Sequence, residues 1–168
     1  MERGGRCLRP ALLKSAQTEA PSQTKGEYEA MKVGLISCAK RKGPLPSPAE
    51  DLHTSQLFQK AKAFVGGTCD RWFILSAKHG LLRPDEVIEP YDQTLNTVSK
   101  AERQAWAARI LVQLHPLVKP GDRFVILAGA RYQEYLTPGL KEEGYLVEDP
   151  LTGLRSGARL RWLKMHRP

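Results

Sequence analysis

The chain lacks the features that define membrane-spanning and disulfide-rich proteins. Its longest uninterrupted apolar runs are about five residues, far short of the roughly 20 that a membrane-spanning helix needs. It has 3 cysteines in 168 residues and no Cys-x-x-Cys pair, which argues against a disulfide scaffold and favours a reducing, cytoplasmic location. With 41% hydrophobic and 26% charged residues, the composition predicts one ordinary compact domain.

Motifs for common cofactors and metals are also missing. No Walker motif and no Gly-x-Gly-x-x-Gly opens a helix, so neither a nucleoside triphosphate nor a dinucleotide cofactor is expected. Cys38, His53, His79 and Asp92 carry metal-ligating atoms, but they form no i, i+4 pair and have no tight ligand spacing. Because zinc and iron sites usually show such spacing, the sequence predicts no cofactor and no metal.

Positive charge is in excess, with 26 Lys and Arg against 18 Asp and Glu and a formal net charge of +8. Two segments account for the whole excess. Lys40, Arg41 and Lys42 supply three charges, and residues 155–168 supply five with no acidic residue. Clustered cations favour an anionic partner, whereas dispersed ones only keep a protein soluble. Both segments remain open to the alternative of a solvated surface.

The first thirty residues differ from the rest of the chain. Residues 1–30 are rich in Ser, Thr, Pro, Gly and Gln and show neither helical nor strand periodicity. Their longest apolar stretch, Ala11 to Leu13, is too short for a secretory signal. We therefore predict a disordered N-terminal extension over residues 1–30 and a single α/β domain over residues 31–168.

Four short apolar runs alternate with segments of helical period from Met31 onwards. Unbroken apolar strands are typical of a parallel sheet that is covered on both faces. Their alternation with helices predicts a three-layer α/β sandwich with a mainly parallel central sheet of about four strands. The four runs cover residues 33–36, 72–75, 124–127 and 145–147.

The helices are predicted from their apolar faces and their ends. One helix has apolar residues from Leu57 to Val65 and is expected to stop at Gly66-Gly67. The next opens at a Ser99–Glu102 capping box, carries Trp106 inward and ends at Pro116. A third follows Gly129 and is expected to break at Thr137-Pro138, where Thr can cap a new turn. The last begins near Ser156 and carries Leu160 and Leu163 inward.

Small, polar or cationic residues follow each of the first three predicted strands, and in open parallel sheets ligands bind beyond these carboxyl ends. Cys38 and His79 also have a structural alternative, as a buried small residue and a packed imidazole. The segments that follow the strands supply these candidates: Ser37, Cys38, Lys40, Arg41 and Lys42 after the first; Ser76, Lys78 and His79 after the second; Gly129 and Tyr132 after the third.

A long loop of Pro, Tyr, Asp and Thr lies between the second strand and the second helix, over residues 87–95. Its length allows it to fold over the strand ends. Asp92 in this loop is predicted to orient His79 or to position a water, with an Asx turn or helix cap as the structural alternative. His79, whose pKa suits proton transfer near neutrality, and Asp92 are the predicted catalytic pair.

Several motifs resemble a bacterial and phage family known as a domain of unknown function, over residues 32–165. The family is more distantly similar to the YaaA peroxide-stress proteins, to the Ser-Cys-x-x-Lys domain of archaeosine-forming enzymes and to the uracil-DNA glycosylase fold. The resemblance implies a nucleic-acid or modified-base context. It rests on Ser37-Cys38-x-x-x-Lys42, Ser55-x-x-Phe58, the Leu-Ser-Ala-Lys-His-Gly-Leu-Leu run from Leu75, Ile88-x-Pro90-Tyr91-Asp92-x-Thr94-Leu95, Ala128-Gly129-x-x-Tyr132 and Pro150-Leu-x-Gly153-Leu.

The resulting hypothesis is a glycosylase-like enzyme that cleaves or exchanges the N-glycosidic bond to a normal or modified base, on DNA rather than RNA. Such a reaction needs a carboxylate near the sugar and a donor near the departing base, the roles given to Asp92 and His79. Two alternatives remain, a non-catalytic nucleic-acid-binding protein and an enzyme acting on a small nucleotide. In the hypothesis, Tyr91 or Tyr132 stacks on the base and Ser37 or Ser55 forms a hydrogen bond with its edge. The phosphates are held by Lys40, Lys42 and Lys78. Arg41 lies between Lys40 and Lys42 and belongs to the same phosphate-binding triplet.

Overall fold

The computed structural model describes residues 28–168. The predicted N-terminal extension therefore lies outside the described residues, apart from residues 28–30. Tyr28 at the start of this part bonds through its hydroxyl to the Asp122 carboxylate, and the amide of Met31 donates to the same oxygen at 2.8 Å. These two hydrogen bonds attach residues 28–31 to the rest of the domain.

Seven strands and six helices alternate along the described chain. A 3₁₀ turn over His115–Leu117 follows the longest helix. The strands are β1 (Lys32–Ser37), β2 (Ser47–Pro48), β3 (Arg71–Ser76), β4 (Gly80–Leu82), β5 (Val87–Ile88), β6 (Arg123–Leu127) and β7 (Leu146–Glu148). The helices are α1 (Ala49–Leu52), α2 (Gln56–Thr68), α3 (Lys100–Leu114), α4 (Ala130–Gln133), α5 (Leu136–Glu142) and α6 (Ser156–Met165).

Five of the strands form the central sheet, in the order β4-β3-β1-β6-β7. The four predicted strands are all present and pair in parallel, with Val33 opposite Arg71 on one side and Phe124 on the other. The fifth, β4, is antiparallel to β3 and was not predicted, since its three residues are too few to show a period. Strands β2 and β5 form a separate two-stranded antiparallel ribbon.

Both faces of the sheet are covered, which makes the predicted three-layer sandwich. Alternate residues of a strand point to opposite faces, so Leu35 packs toward α3, α4 and α5 while Ile36 packs toward α1, α2 and α6. The long aliphatic and aromatic side chains of both cores are almost wholly buried. Gly34 allows α2 to lie close to β1, because a Cβ there would approach the Val65 side chain to 2.8 Å.

Helix α3 begins as predicted. The Ser99 hydroxyl accepts a hydrogen bond from the Glu102 amide at 3.2 Å, and the Glu102 carboxylate accepts one from the Ser99 amide at 2.8 Å. Trp106 is buried as expected, and its indole N–H also donates to the Ser76 carbonyl at 2.9 Å. This bond attaches α3 to the end of β3, where the sheet approaches the candidate site.

Two predicted helix boundaries are wrong. Helix α2 does not stop at Gly66-Gly67 but continues to Thr68, because glycine costs only about 1 kcal/mol within a helix and does not by itself end one. Thr137 and Pro138 lie inside α5, and the break comes earlier, at Glu134 and Tyr135. Proline has no N–H for the carbonyl four residues before it, so the break falls at Glu134 and Pro138 occupies the first turn of α5.

No helix within residues 28–168 combines the length and the apolar character that crossing a membrane requires.

Candidate functional site

A cleft of about 810 Å³ opens at the carboxyl ends of β1 and β6. Strand β1 is the topological switch point of the sheet, because β3 pairs with it on one side and β6 on the other. Open α/β sheets bind ligands at such switch points because loops and helix N-termini diverge there and leave a crevice. The fold therefore places this cleft at the position where a ligand is expected.

The cleft is strongly cationic and has an apolar wall. Four basic side chains line it, and Asp92 is the one carboxylate among the described residues that does so. The basic residues come from both of the charged segments seen in the sequence. The cations are Lys40, Lys42, Arg155 and Arg159, and the apolar wall comprises Leu57, Phe58, Ala61, Leu127, Leu151 and Leu154.

Cys38 lies at the floor of the cleft, directly after β1. Its amide donates to the Leu75 carbonyl at 2.9 Å, which continues the pairing of β1 with β3. Its sulfur lies 3.2 Å from the hydroxyl of Tyr132, a buried residue of α4. Burial, with a contribution from Cys38, raises the pKa of Tyr132 well above its usual range, so its phenol stays protonated and can donate to the sulfur.

Lys42 is half-buried and held in place from three directions. Its ammonium donates to the Ala39 carbonyl at 2.8 Å and lies 4.4 Å from the centre of the Tyr91 ring. Its backbone pairs in an antiparallel bridge with His53. Burial lowers the pKa of the Lys42 amine, against the opposing effect of Cys38 and Asp92. The result is a fixed amine at the cleft floor that loses its proton more readily than an exposed lysine.

Two buried polar atoms behind Lys42 have no hydrogen-bond partner among residues 28–168, His53 Nε2 and Tyr91 Oη. His53 is fully buried, its Nδ1 bonds the Ala49 carbonyl at 2.8 Å, and burial lowers its pKa, so the imidazole is neutral. Burial likewise raises the pKa of Tyr91 far above its ordinary value. Unpaired buried polar atoms cost roughly 1–3 kcal/mol each, and such destabilising groups often mark functional sites.

Asp92 begins a segment, residues 92–97, that forms one side of the cleft. Asp92 is exposed, and Thr94, Asn96 and Thr97 face the same cleft. On its other side the segment borders a second cavity of about 500 Å³, which Trp106 and Arg109 also line. The last part of the predicted loop, from Asp92 to Leu95, therefore lies over the strand ends between two cavities, whereas Val87–Ile88 at its start form β5 and not a loop.

The C-terminal helix forms the opposite side. Arg159 donates from Nε to the Leu154 carbonyl at 2.8 Å and from Nη1 to the Ala128 carbonyl at 3.3 Å, at the end of β6. Arg155 and Arg159 line the cleft, whereas Arg161 and Lys164 are exposed and do not. Only part of the basic segment at residues 155–168 therefore faces the cleft.

The structure brings eight of the thirteen predicted site residues to the cleft. Ser55 among them also caps α2, since its hydroxyl accepts a hydrogen bond from the Phe58 amide at 3.2 Å. Gly129 precedes α4 at the end of β6. The residues that line the cleft are Ser37, Cys38, Lys40, Lys42, Ser55, Asp92, Gly129 and Tyr132.

The other five do not line the cleft: Arg41, Ser76, Lys78, His79 and Tyr91. Ser76 is buried and its hydroxyl accepts a hydrogen bond from the His79 amide at 3.0 Å, within the turn from β3 into β4. The His79 ring packs on the Tyr91 ring with centroids 5.3 Å apart. Burial, together with Lys78, lowers the pKa of His79. Because the chain reverses after Ser76, His79 lies behind Tyr91 rather than beside β1 and β6.

Several lining residues were not among the predicted site residues. They are Asn96 and Thr97, together with Leu151 and Arg155, which the sequence marks only as part of the Pro150-Leu-x-Gly153-Leu motif and of the basic segment. Leu151 and Arg155 lie after β7, so the rule of inspecting the residues past each strand would have reached them if applied to the fourth strand. Asn96 and Thr97 carry no such signal, because their place depends on how the 92–97 segment folds.

The described residues offer no obvious metal centre. Across residues 28–168, no three His, Cys, Asp or Glu side chains come together as a ligand set. The polar groups that line the cleft include a thiol, a phenol, hydroxyls, amides, four cations and one carboxylate from the described residues.

Comparison with known proteins gives a family but no activity. A family model described as "Family of unknown function (DUF6884)" matches residues 33–165. A curated relative, "Uncharacterized protein YfjM" of Bacillus subtilis (strain 168), is 39% identical over 122 residues, which cover 67% of this chain and 79% of that protein.

Proposed function

The chain belongs to the family of unknown function DUF6884, and from its cleft we propose that it binds a nucleic acid or nucleotide and cleaves or exchanges the N-glycosidic bond to a base. The observation that carries the proposal is the composition of the cleft. Four cations surround a single carboxylate beside an apolar wall. This arrangement matches a ligand that has an anionic group, a flat apolar group and a sugar that joins the two.

The apolar wall supplies a surface for a base. Phe58 is almost fully buried and stacks on the His53 ring with centroids 4.6 Å apart, so the wall is firmly supported. Enzymes that act on a base hold it against apolar or aromatic side chains and bond its edge with polar groups. Ser37 and Ser55, which also line the cleft, are the hydroxyls proposed for that edge.

The cations supply contacts for phosphates. Lys40 and Arg155 are exposed, and Arg159 is anchored to backbone carbonyls. Phosphate contacts from Lys and Arg provide most of the affinity of proteins for nucleic acids. We propose that these three side chains hold the phosphates that flank the base.

Asp92 supplies the carboxylate that the reaction requires. Positive charge develops on the sugar in the transition state of glycosidic cleavage, and a carboxylate nearby stabilises it. Asp92 lies close enough to Lys42 to raise the pKa of its amine, which opposes the effect of burial. His79, proposed from the sequence as the donor to the base, is given no step because it does not line the cleft and packs against Tyr91 instead.

Release of free base from oligonucleotides tests the proposal. Normal and modified bases are incubated with the protein, and free base and abasic sites are measured by mass spectrometry. We expect Asp92→Asn to lower base release by 10²-fold or more while oligonucleotide binding persists. Asp85→Asn is the matched control, because Asp85 is an exposed carboxylate outside the cleft.

Equal activity of Asp92→Asn and wild type refutes the catalytic role. Binding that weakens with salt, in the absence of base release from any substrate, favours the non-catalytic alternative. A preference for free nucleotides with shallow salt dependence favours the small-molecule alternative.

Cys38, Lys42 and Ser55, which belong to the motifs of the family resemblance, all line the cleft. We propose DNA rather than RNA as the partner and the cytoplasm as the location, the latter from the few cysteines.

A further inference from the structure

We propose that Lys42 is a nucleophile that forms an imine with the aldehyde of an abasic sugar, which gives the protein an abasic-site lyase activity. The inference rests on the proposed function, because cleavage of an N-glycosidic bond leaves a sugar whose C1′ opens to an aldehyde. It adds a second reaction at the same site and a second substrate, nucleic acid that has already lost a base.

Lys42 is distinguished from the other cations by its chemistry and its position. Of the four basic residues that line the cleft, only Lys40 and Lys42 are amines, and a guanidinium does not form imines because it keeps its proton. Lys40 is exposed at the rim, whereas Lys42 is half-buried. Lys42 is therefore the amine that a sugar on the cleft floor meets.

The contacts of Lys42 hold its amine in one place. The Ala39 carbonyl accepts a hydrogen bond from it at 2.8 Å, and the Tyr91 ring lies 4.4 Å below it. The bridge between Lys42 and His53 fixes the backbone that carries it. A positioned nucleophile reacts much faster than a free one, because its orientation is already set.

The surroundings also favour the reactive form. An amine attacks only when it is unprotonated, and burial lowers the pKa of Lys42. Desolvation of this kind is a recognised way in which proteins activate lysine for attack on carbonyl groups. Cys38 and Asp92 oppose this effect, but burial is the largest contribution to the pKa of Lys42.

The reaction balances without a cofactor. The neutral Lys42 amine adds to C1′, and the carbinolamine takes up a proton from solvent and loses water to give a protonated imine. A base removes a proton from C2′, the C3′–O bond breaks as the 3′-phosphate leaves, and a C2′=C3′ double bond forms. Asp92, the carboxylate of the cleft, is the proposed base. Water then hydrolyses the imine and returns the amine.

Borohydride trapping tests the inference directly. The full chain is mixed with a DNA oligonucleotide carrying one preformed abasic site, and sodium borohydride reduces any imine to a stable amine. We expect a covalent complex on a denaturing gel, with the adduct on Lys42 by peptide mass spectrometry. An oligonucleotide whose abasic sugar is already reduced to the alcohol is the control, and it should give no complex.

Variants separate reactivity from charge. Lys42→Arg keeps the positive charge and should lose at least 10²-fold of the trapping. Lys164→Arg changes an exposed amine outside the cleft and should trap as the wild type does. An adduct mapped to any other amine of the wild type overturns the inference, and so does the absence of trapping when the abasic oligonucleotide is bound.

The outcome is independent of the glycosylase test because the abasic site is supplied. Base release without trapping leaves the proposed function intact and refutes the lyase. Trapping on Lys42 without base release from any substrate supports the lyase and counts against glycosidic cleavage. Absence of both binding and trapping refutes the two proposals together.

Discussion

Asp122 is a buried carboxylate whose hydrogen bonds reach two separate parts of the chain, one at Tyr28 and Met31 and the other at Lys119. It is 1% exposed, and its carboxylate accepts hydrogen bonds from the Tyr28 hydroxyl and from the amides of Met31 and Lys119. Although burial opposes it, these bonds lower the pKa of Asp122, and the bond to Asp122 raises the pKa of Tyr28 to about 12. The charged form of Asp122 is therefore the one that the fold stabilises.

We expect Asp122→Asn to lower the free energy of unfolding by about 2 kcal/mol at neutral pH, because an amide presents an N–H to one of these donors. Urea unfolding measures the difference, with Asp85→Asn as an exposed control that changes it by less than about 0.5 kcal/mol. A group whose pKa is lowered by folding stabilises the protein fully above its unfolded pKa, about 3.9 for Asp. The contribution is lost as pH falls through the folded value, so the two proteins should converge below about pH 4. A difference that is unchanged in acid contradicts the argument.

His79 shows where prediction at the residue scale reaches its limit. The sequence correctly places it after a buried strand and before a glycine that permits a sharp turn, but the three residues of β4 are too few to predict that the chain reverses into an antiparallel strand. Gly80 makes this reversal possible with φ of +76°, a conformation that glycine adopts without strain. Position after a strand predicts the edge of the sheet at which a residue lies, and not the strands it lies beside.

Among the elements, α3 offers the clearest test of a local signal. Its capping box is complete, and no acidic residue other than Glu102 lies in its first turn. We expect Ser99→Ala to lower the free energy of unfolding by about 1 kcal/mol, measured by urea unfolding. Lys100→Ala, one residue further and exposed, should have little effect. Equal effects of the two substitutions would show that the cap contributes nothing.

The elements that could be predicted are those whose pattern is local. Continuous apolar runs identify β1, β3, β6 and β7, because burial on both faces requires them. The break before α5 was expected at Thr137-Pro138 but falls at Glu134, whose carbonyl finds no N–H at Pro138, so counting four residues back from the proline would have located it. The two-residue strands β2 and β5 depend on pairing with each other, and neither has a pattern of its own.

At the scale of the whole molecule, the net charge matters only where it faces the cleft. Binding of single-stranded nucleic acid should weaken with salt, and the four cations that line the cleft among residues 28–168 should contribute at most about −3 to the slope of log K against log salt, since each phosphate contact contributes about −0.7. We expect Arg155→Gln to reduce that slope by about 0.7, whereas Arg161→Gln on the same helix leaves it unchanged. Fluorescence anisotropy across salt concentrations provides the measurement. A larger change for Arg161 than for Arg155 would show that the ligand lies elsewhere.

The bond from Arg159 to the Ala128 carbonyl has a consequence for synthesis of the protein. The cleft contains Ser37 near one end of the domain and Arg159 near the other. The ribosome makes the chain from its N-terminus and a domain folds as a unit, so β1 and Cys38 emerge long before α6. Until α6 docks, the nascent chain has the thiol and the first amines but lacks one basic wall. The cationic cleft is therefore complete only when the last helix has been made.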